Sequence, residues 1–428
     1  MSSQPLTAEM RTNFRNLYAD VLWYGVLSGS TMAFLAIYAA RLGATTFQVS
    51  LLTAGPAVAN LLISLPAGQW MQNKPLVSVA FWSSLGQRMG YVVIALLPFV
   101  FSTPGQIWML ALISLLMAVP GTVLAISFNA VLADVIDPEW RAQVVGRRNA
   151  ILAFSMIATS LICGQLLDLI PPYYNYQIVF ALGAAGALLS SLYVSRLRIP
   201  SQEPVRAWSL INDYARPGLQ RMANGLRSSA GLLFLTRSRG RSLLRLDLLR
   251  SPFGTFMLAC CVFYTFQYTS IPIYPLFFVR VLTLGDGQIG IGNSLFYLAM
   301  MIASIGLGVI SAHLSHRGVM ILGAFLFSLY PLINALAHSV ALYYLASILG
   351  GVAWALWSGG LLNRLFERSP EYDRPAAMAL HNVVLNLGIL FGSLFGPALA
   401  AQIGDLREVL FISAGLRFLA GFFFVFWG

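Results

Sequence analysis

The chain has 428 residues, of which 58% are hydrophobic and 10% are charged, with a formal net charge of +11. Soluble globular domains are roughly 45–50% apolar and about 25% charged, so this composition excludes an ordinary soluble domain and indicates a membrane protein. The excess positive charge does not indicate nucleic-acid binding, because much of it lies in one Arg-rich segment, 196–250, flanked by apolar runs. Such a segment is typical of a cytoplasmic loop that follows the positive-inside rule.

In chain order, the sequence predicts twelve spanning helices, because each needs about 20 mostly apolar residues. The N-terminal residues are polar and lack the apolar core of a signal peptide, so we expect the first span to direct insertion. The predicted spans are 18–40, 48–70, 76–98, 106–130, 145–168 and 176–196 in the first half, and 252–279, 289–311, 319–337, 341–363, 376–402 and 407–427 in the second. Helices are favoured because lipid offers no partners for backbone polar groups.

The spans predict an all-α membrane protein with an N-terminal six-helix bundle (1–196), a basic linker (197–251) and a C-terminal six-helix bundle (252–428). Apolar residues alternate with Arg in the linker, which predicts amphipathic helical pieces on a membrane surface. Lys and Arg concentrate on the side of the linker and of both termini, which predicts cytoplasmic termini in a bacterial cytoplasmic membrane. The exceptions are Arg41, Arg280 and Arg407 on the other side and Arg88 and Arg417 within spans.

Two pairs of segments indicate an internal repeat. "DPEWRAQVVGRRN" (137–149) resembles "PEYDRPAAMALHN" (370–382), because Arg141 and Arg374 each precede an Asn by eight residues. "YAARLGATTFQVS" (38–50) resembles "FVRVLTLGDGQIG" (278–290), with Arg41 and Arg280 in matching places. Parallel halves related by an axis along the membrane normal are typical of one large class of transporters.

With these features the chain resembles the major facilitator superfamily over almost its whole length. One local motif departs from the family pattern. The loop "GQWMQNKPL" (68–76) keeps Gly68 and a basic residue, Lys74, but has Gln72 where the family has Asp and Pro75 where it has Gly. The corresponding "GVISAHLSHRG" (308–318) also lacks the acid. We expect a different gating cluster on the cytoplasmic side to replace this latch, formed by Asp134, Asp137, Arg141, Arg148 and Arg374.

The resemblance implies a central cavity lined by spans 1, 4, 7 and 10, with spans 2, 5, 8 and 11 as sliding walls. Polar and aromatic residues at mid-depth would form an amphipathic pocket there. The alternative for each residue is ordinary hydrogen bonding and packing between helices. The candidates are Tyr24, Ser28, Thr31, Tyr264, Gln267, Tyr268, Asn293, Tyr297, Trp354, Trp357 and Asn386. Span 7 also carries Pro272 and Pro275, which predict a break.

Ionisable residues within spans are costly and therefore informative. Arg88 and Arg417 are expected to turn inward to a carboxylate or to carbonyls, and the alternative is a role with an anionic substrate. The carboxylates Asp20, Asp134 and Asp168 are all placed near helix ends, which leaves His381 as the candidate proton site. Span 11 has glycines at spacing four (Gly388, Gly392 and Gly396), which indicate either static packing or a sliding surface.

These observations favour a secondary transporter that moves a small amphipathic or apolar organic solute by alternating access, with efflux preferred. The alternatives are sugar or nutrient uptake, facilitated diffusion, or a non-transporting assembly or pigment- or lipid-handling protein on the same scaffold. No P-loop, HExxH or GxSxG motif with partners indicates an ATP-driven pump or an enzyme. The three cysteines have no metal-ligand spacing. We expect no cofactor or metal and no nucleic acid, with the lipid bilayer and a small-molecule substrate as partners of a monomer.

Overall fold

A computed structural model describes residues 7–71, 74–171, 174–199, 246–369 and 374–428. Within these ranges the chain is helical and has no strand, and eleven helices are long and apolar enough to cross a membrane. The amphipathic pieces predicted in the 197–251 linker fall on residues that lie almost entirely outside these ranges.

The first half of the chain forms six helices. They are α1 Ala8–Arg41, α2 Thr46–Trp70, α3 Leu76–Val100, α4 Thr103–Val135, α5 Pro138–Leu169 and α6 Asn175–Ser195. The first helix begins at Ala8, well before the predicted 18, because its polar start has partners. Thr7 caps it by accepting from the Met10 amide, and Asn13 and Asn16 donate to carbonyls at the end of α6, where hydropathy alone gives no signal.

The second half begins with α7, Pro252–Val281, whose helical path is broken at 270–272, where the first of the two predicted prolines, Pro272, lies. The next apolar segment, Asp286–Leu336, has 51 residues. At 1.5 Å per residue this is about 76 Å, more than twice the roughly 30 Å hydrocarbon core. A left-handed backbone at Ser315 (φ 60°) divides it into α8 (286–314) and α9 (316–336). The remaining helices are α10 Val340–Arg368, α11 Arg374–Ile403 and α12 Leu406–Trp427.

The twelve helices form two bundles, the N-bundle (α1–α6) and the C-bundle (α7–α12). The bundles meet mainly through α2 against α11 and α5 against α8. Because consecutive helices run in opposite directions, all the short connections fall on two faces. We call the face that carries residues 199 and 246 the linker face, and the opposite face, with loops 42–45 and 282–285, the distal face.

Candidate functional site

At the distal face, the ends of α1 and α7 hold each other's loops. Arg41 Nη2 donates to the carbonyl of Leu284 at 2.6 Å, and Arg280 Nη2 donates to the carbonyl of Ala44 at 2.7 Å. The following helices begin alike, since Gln48 Oε1 accepts from the Thr45 amide and Gln288 Oε1 from the Gly285 amide. The predicted match between 38–50 and 278–290 therefore corresponds to a reciprocal contact across the two bundles.

Two carboxylates reinforce this closure. Asp286, at the start of α8, accepts from Arg41 at 3.2 Å and from the Tyr176 hydroxyl of α6 at 2.9 Å. Asp168, at the end of α5, accepts from the Asp286 and Gly287 amides, both at 2.9 Å. A carboxylate of the N-bundle thus caps the N-terminus of a C-bundle helix, where free amides and the helix dipole favour negative charge. We call Arg41, Asp168, Tyr176, Arg280 and Asp286 the distal latch.

Deeper in the membrane, amide and hydroxyl groups join α2 to α11. Thr53 donates to Ser393 at 2.9 Å, and Asn60 Nδ2 donates to Asn386 Oδ1 at 3.2 Å. Thr122 of α4 donates to Asn60 Oδ1 at 2.5 Å. We call Thr53, Asn60, Thr122, Asn386 and Ser393 the amide seam. It contains the predicted residue Asn386. The sequence prediction missed Asn60, although an Asn in the middle of an apolar span is a usable signal, because it took no candidate from span 2.

Aromatic residues meet where α1 and α5 of the N-bundle contact α8 of the C-bundle. Tyr24 of α1 and Tyr297 of α8 pack into one cluster with Met156 of α5, so the structure brings together two predicted residues from different bundles. His381 of α11, 8% exposed, lies 3.0 Å from the hydroxyl of Tyr264 on α7. The predicted Asn293 and Tyr268 are half-buried, the latter against Gly392 of α11.

The contact between α5 and α8 is close only in its distal half. A Cβ placed on Gly164 would lie 3.1 Å from the Cα of Gly290, and Ser294 donates to the Ile157 carbonyl at 3.1 Å. Toward the linker face, no residue of α8 and its continuation is buried from 300 to 318. A helix packed in a bundle buries one stripe along its length, so α8 is less enclosed there than in its distal half. On the α2–α11 side, Ala379 remains in a buried cluster with Ala67 of α2.

Several predicted cavity residues pack inside a bundle instead. Trp357 is 1% exposed and lies 3.9 Å from Phe263 and 4.9 Å from Phe424, ring centre to ring centre. Its prediction as a cavity residue is therefore wrong for this conformation, because its ring fills the core of the C-bundle. Trp354 contacts Phe327 within the same bundle, and Gln267 is 2% exposed.

Two more residues that were predicted to line the cavity, Thr31 and Ser28, are buried within the N-bundle instead. Thr31 is fully buried where α6 has Gly183, whose missing Cβ would lie 2.0 Å from the Thr31 hydroxyl. Ser28 is also buried and donates to the carbonyl of Tyr24 in its own helix. The glycine stripe of α11 packs on α7, since a Cβ on Gly392 would lie 2.2 Å from the Thr265 carbonyl. Because α7 and α11 belong to one bundle, the stripe serves static packing.

Arg417 of α12 is fully buried and stabilises the break in α7. Its guanidinium donates to the Gln267 carbonyl at 2.6 Å, to the Ser270 hydroxyl, and to the Phe327 carbonyl of α9 at 3.4 Å. Helix carbonyls that lose their amide partners at such a break need donors, and a cation at a helix C-terminus also suits the dipole. Arg417 therefore turns inward to carbonyls, as one of the predicted alternatives states.

Arg88 of α3 turns inward to a carboxylate, as one of the predicted alternatives states, but the carboxylate is Asp20, which the sequence placed near a helix end. Asp20 is 1% exposed and accepts from Ser190 of α6; Arg148 lies 3.4 Å and Arg88 3.9 Å from its oxygens. Arg88 also donates to Ser191 at 2.8 Å. The prediction placed Asp20 at a helix end because it started the span at 18, whereas the helix starts at Ala8.

The predicted gating cluster is only partly described. Asp134 is half-buried at the end of α4 and Asp137 is exposed before α5. Arg148 lies 3.4 Å from Asp20 within the N-bundle. The side chains of Arg141 and Arg374 lie outside the described part of the structure.

Two six-helix bundles that are joined by the distal latch and built from helices long and apolar enough to cross a membrane indicate a membrane transport protein. The Major Facilitator Superfamily model matches residues 22–268 and 256–428. The chain belongs to this superfamily, which confirms the predicted family and fold and places the protein among transporters rather than enzymes.

Comparison with known proteins adds a partial relative. The chain is 23% identical to the quinolone resistance protein NorA of Staphylococcus aureus over 130 residues, which is 30% of this chain and 33% of the relative. The match thus spans about a third of that protein's length.

Among solved structures, the chain resembles a mutant form of the nucleoside transporter NupG with a TM-score of 0.72 and 13% identity, covering 97% of this chain and 99% of the other. It also resembles a bacterial homologue of the iron transporter ferroportin in an inward-facing state, with a TM-score of 0.72, 14% identity and coverage of 98% and 99%. The D-xylose–proton symporter gives a TM-score of 0.69 and 13% identity over 97% of each chain. At these identities the likeness shows the fold alone.

Proposed function

We propose that the protein exports a small amphipathic or apolar organic solute by alternating access across the bacterial cytoplasmic membrane. The observation that carries this proposal is the asymmetry of the bundle interface. The distal latch joins the bundles at one face, while α8 lacks buried residues from 300 to 318 toward the other. A second state, with the distal face open, would complete the cycle.

We infer that the linker face is cytoplasmic, because the Arg-rich segment and most other basic residues lie on that side. The conformation described would then be closed toward the outside by the distal latch. Arg227 lies in the linker, outside the described residues, and offers a direct test. A cysteine at this position should react with a membrane-impermeant maleimide only from the cytoplasmic side, and labelling from outside would reverse the orientation.

The chemistry between the bundles supports an uncharged or weakly polar solute. The groups that meet there are the amide seam and the Tyr24–Tyr297 cluster, whereas the Tyr264–His381 pair, Asp20 and Arg417 each lie among helices of a single bundle. Aromatic rings offer broad apolar contact with a single polar tip, and amides both donate and accept. The partial similarity to a quinolone resistance protein supports efflux as the direction.

Transport against a gradient needs a site for a coupling ion. His381 remains the candidate proton site, since it is a titratable side chain within a span and its ring contacts the Tyr264 hydroxyl inside the C-bundle. Facilitated diffusion is the alternative. Replacing His381 by Gln in proteoliposomes should abolish transport driven by a proton gradient while leaving exchange of labelled for unlabelled solute intact.

A thermal-shift screen of the purified protein followed by transport in proteoliposomes tests the function itself. The library should include a quinolone, a nucleoside and xylose, because these represent efflux and the two uptake alternatives. We expect stabilisation and outward movement of an amphipathic compound. Selective binding and inward movement of the sugar or nucleoside would favour nutrient uptake, and binding without transport by any compound would favour a non-transporting scaffold.

A further inference from the structure

A groove with a volume of about 410 Å³ lies at the linker face of the N-bundle, between α2, α3 and α4. Its walls are Trp70, Lys74, Pro75, Ser78, Val79, Trp82, Ser83, Pro120 and Val123. Trp70 is 55% and Trp82 67% exposed. Helix α3 packs against α4 and α6 of its own bundle, and the exposed Trp70 and Trp82 side chains leave the groove open to the outside of the molecule.

Lys74 gives this groove a positive charge. It is the only lysine of the chain, and its ammonium lies 3.4 Å from the ring centre of Trp70. Within the described ranges, no carboxylate forms an ion pair with it. A cation over an indole keeps most of its donors available, because the ring occupies only one side of the ammonium. The groove therefore offers an anion-binding group beside walls that are almost entirely apolar.

We propose that this groove binds one anionic phospholipid, with the phosphate at Lys74 and an acyl chain along Val79, Trp82, Pro120 and Val123. Two properties of the groove favour a lipid over a soluble anion. Tryptophan prefers the boundary between headgroups and acyl chains, which places Lys74 at headgroup level. Basic pockets between spanning helices bind anionic headgroups, and the apolar walls would have no role for a free phosphate.

Lipid binding to the full-length protein in detergent tests the proposal by native mass spectrometry. The probes are phosphatidylglycerol, phosphatidylcholine and soluble glycerol 3-phosphate. We expect phosphatidylglycerol to bind most tightly and Lys74→Ala to weaken it roughly fivefold, which is the effect of one Lys near an anionic membrane surface. Lys74→Arg should retain most of the affinity, and Trp82→Ala should weaken both phospholipids because it removes an apolar wall.

Arg196 provides a matched control, since its guanidinium lies over the Tyr193 ring at 5.3 Å near the end of α6, outside the groove. Arg196→Ala should leave phosphatidylglycerol binding unchanged. Equal affinity in wild type and Lys74→Ala would overturn the proposal, as would an equal loss in Arg196→Ala. Equal binding of the two phospholipids, or of glycerol 3-phosphate and phosphatidylglycerol, would also overturn it. A Lys74→Ala protein that fails to fold leaves the lipid comparison and Lys74→Arg as decisive measurements on intact protein.

Discussion

Arg41 and Arg280 exchange hydrogen bonds across the two halves of the protein, each donating to a carbonyl in the loop that follows the other. The exchange closes the distal face with groups that are partly solvated, since the Arg41 side chain is 32% exposed. Exposed pairs of this kind contribute about 0–1 kcal/mol each. Several such contacts together contribute a few kcal/mol, which is similar to the free-energy difference between interconverting conformations. The latch can therefore stabilise one state without preventing exchange with the other.

Replacing Arg280 by Ala should therefore increase opening of the distal face, because the hydrogen bond to Ala44 is lost. The measurement is labelling of a cysteine at Ser160, buried where α5 meets α8, by a membrane-impermeant maleimide. The rate should rise by about fivefold, corresponding to roughly 1 kcal/mol for a single hydrogen bond. Arg407→Ala is the control, because Arg407 also donates to carbonyls but within the C-bundle. An equal increase in this control would contradict a specific latch.

The buried ion cluster of the N-bundle should be far more sensitive to substitution than surface pairs. Asp20→Asn leaves Arg88 buried without its carboxylate, so we expect a loss of about 3 kcal/mol in the free energy of unfolding. Asp20→Asn/Arg88→Gln should recover part of this loss. The matched control is Glu367→Gln, which removes an exposed pair with Arg364 at 2.8 Å and should cost under about 0.5 kcal/mol. Similar losses in denaturant titrations of both proteins would argue against a structural role for Asp20.

Arg417 should not be replaceable by Lys. A planar guanidinium reaches acceptors on both α7 and α9, whereas an ammonium is a compact point charge. Arg417→Lys should lower the unfolding free energy by about 2 kcal/mol, because a carbonyl at the α7 break loses a charged donor. Thermal unfolding in detergent checks this. Wild-type stability in the Lys variant would mean that charge alone, without the forked geometry, supports the break.

The amide seam should show direct coupling between the bundles. Asn60→Ala and Asn386→Ala, alone and together, form a double-mutant cycle whose expected coupling is about 0.6 kcal/mol, the average for hydrogen bonds within membranes. Asn334 supplies the control partner, since it donates to Tyr330 of its own helix. A cycle of Asn60 with Asn334 should give no coupling, and a zero value for Asn60 with Asn386 would show that their contact is not maintained.

The fold could be predicted from the sequence because spanning helices need long apolar runs and the basic residues mark one side. The repeat register was also readable, since Arg41 and Arg280 carry similar neighbours. The sequence did not reveal that each arginine would bind the other's loop, because that depends on how the two bundles are placed. It also missed Asp168 as a cap for α8, a contact between residues far apart in the chain.

The site was less predictable because depth along a helix is easier to read than rotation about its axis. Trp357 lies at a suitable depth but turns into the C-bundle core, whereas Tyr24 and Tyr297 turn toward the interface. Asp20 was misplaced for a different reason. Hydropathy locates the apolar part of a helix, but the polar turns before Asp20 are held by hydrogen bonds from Asn13 and Asn16.

Alternating access at the distal face is the central claim, and a cross-link across α2 and α11 tests it most directly. The hydroxyls of Thr53 and Ser393 lie 2.9 Å apart across the two bundles, so cysteines there can pair when the distal face is closed. The measurement is solute transport by Thr53→Cys/Ser393→Cys in a protein without Cys163, Cys260 and Cys261, before and after oxidation. We predict that oxidation arrests transport and that a reductant restores it, while each single variant is unaffected. Undiminished transport with the cross-link fully formed would contradict the account.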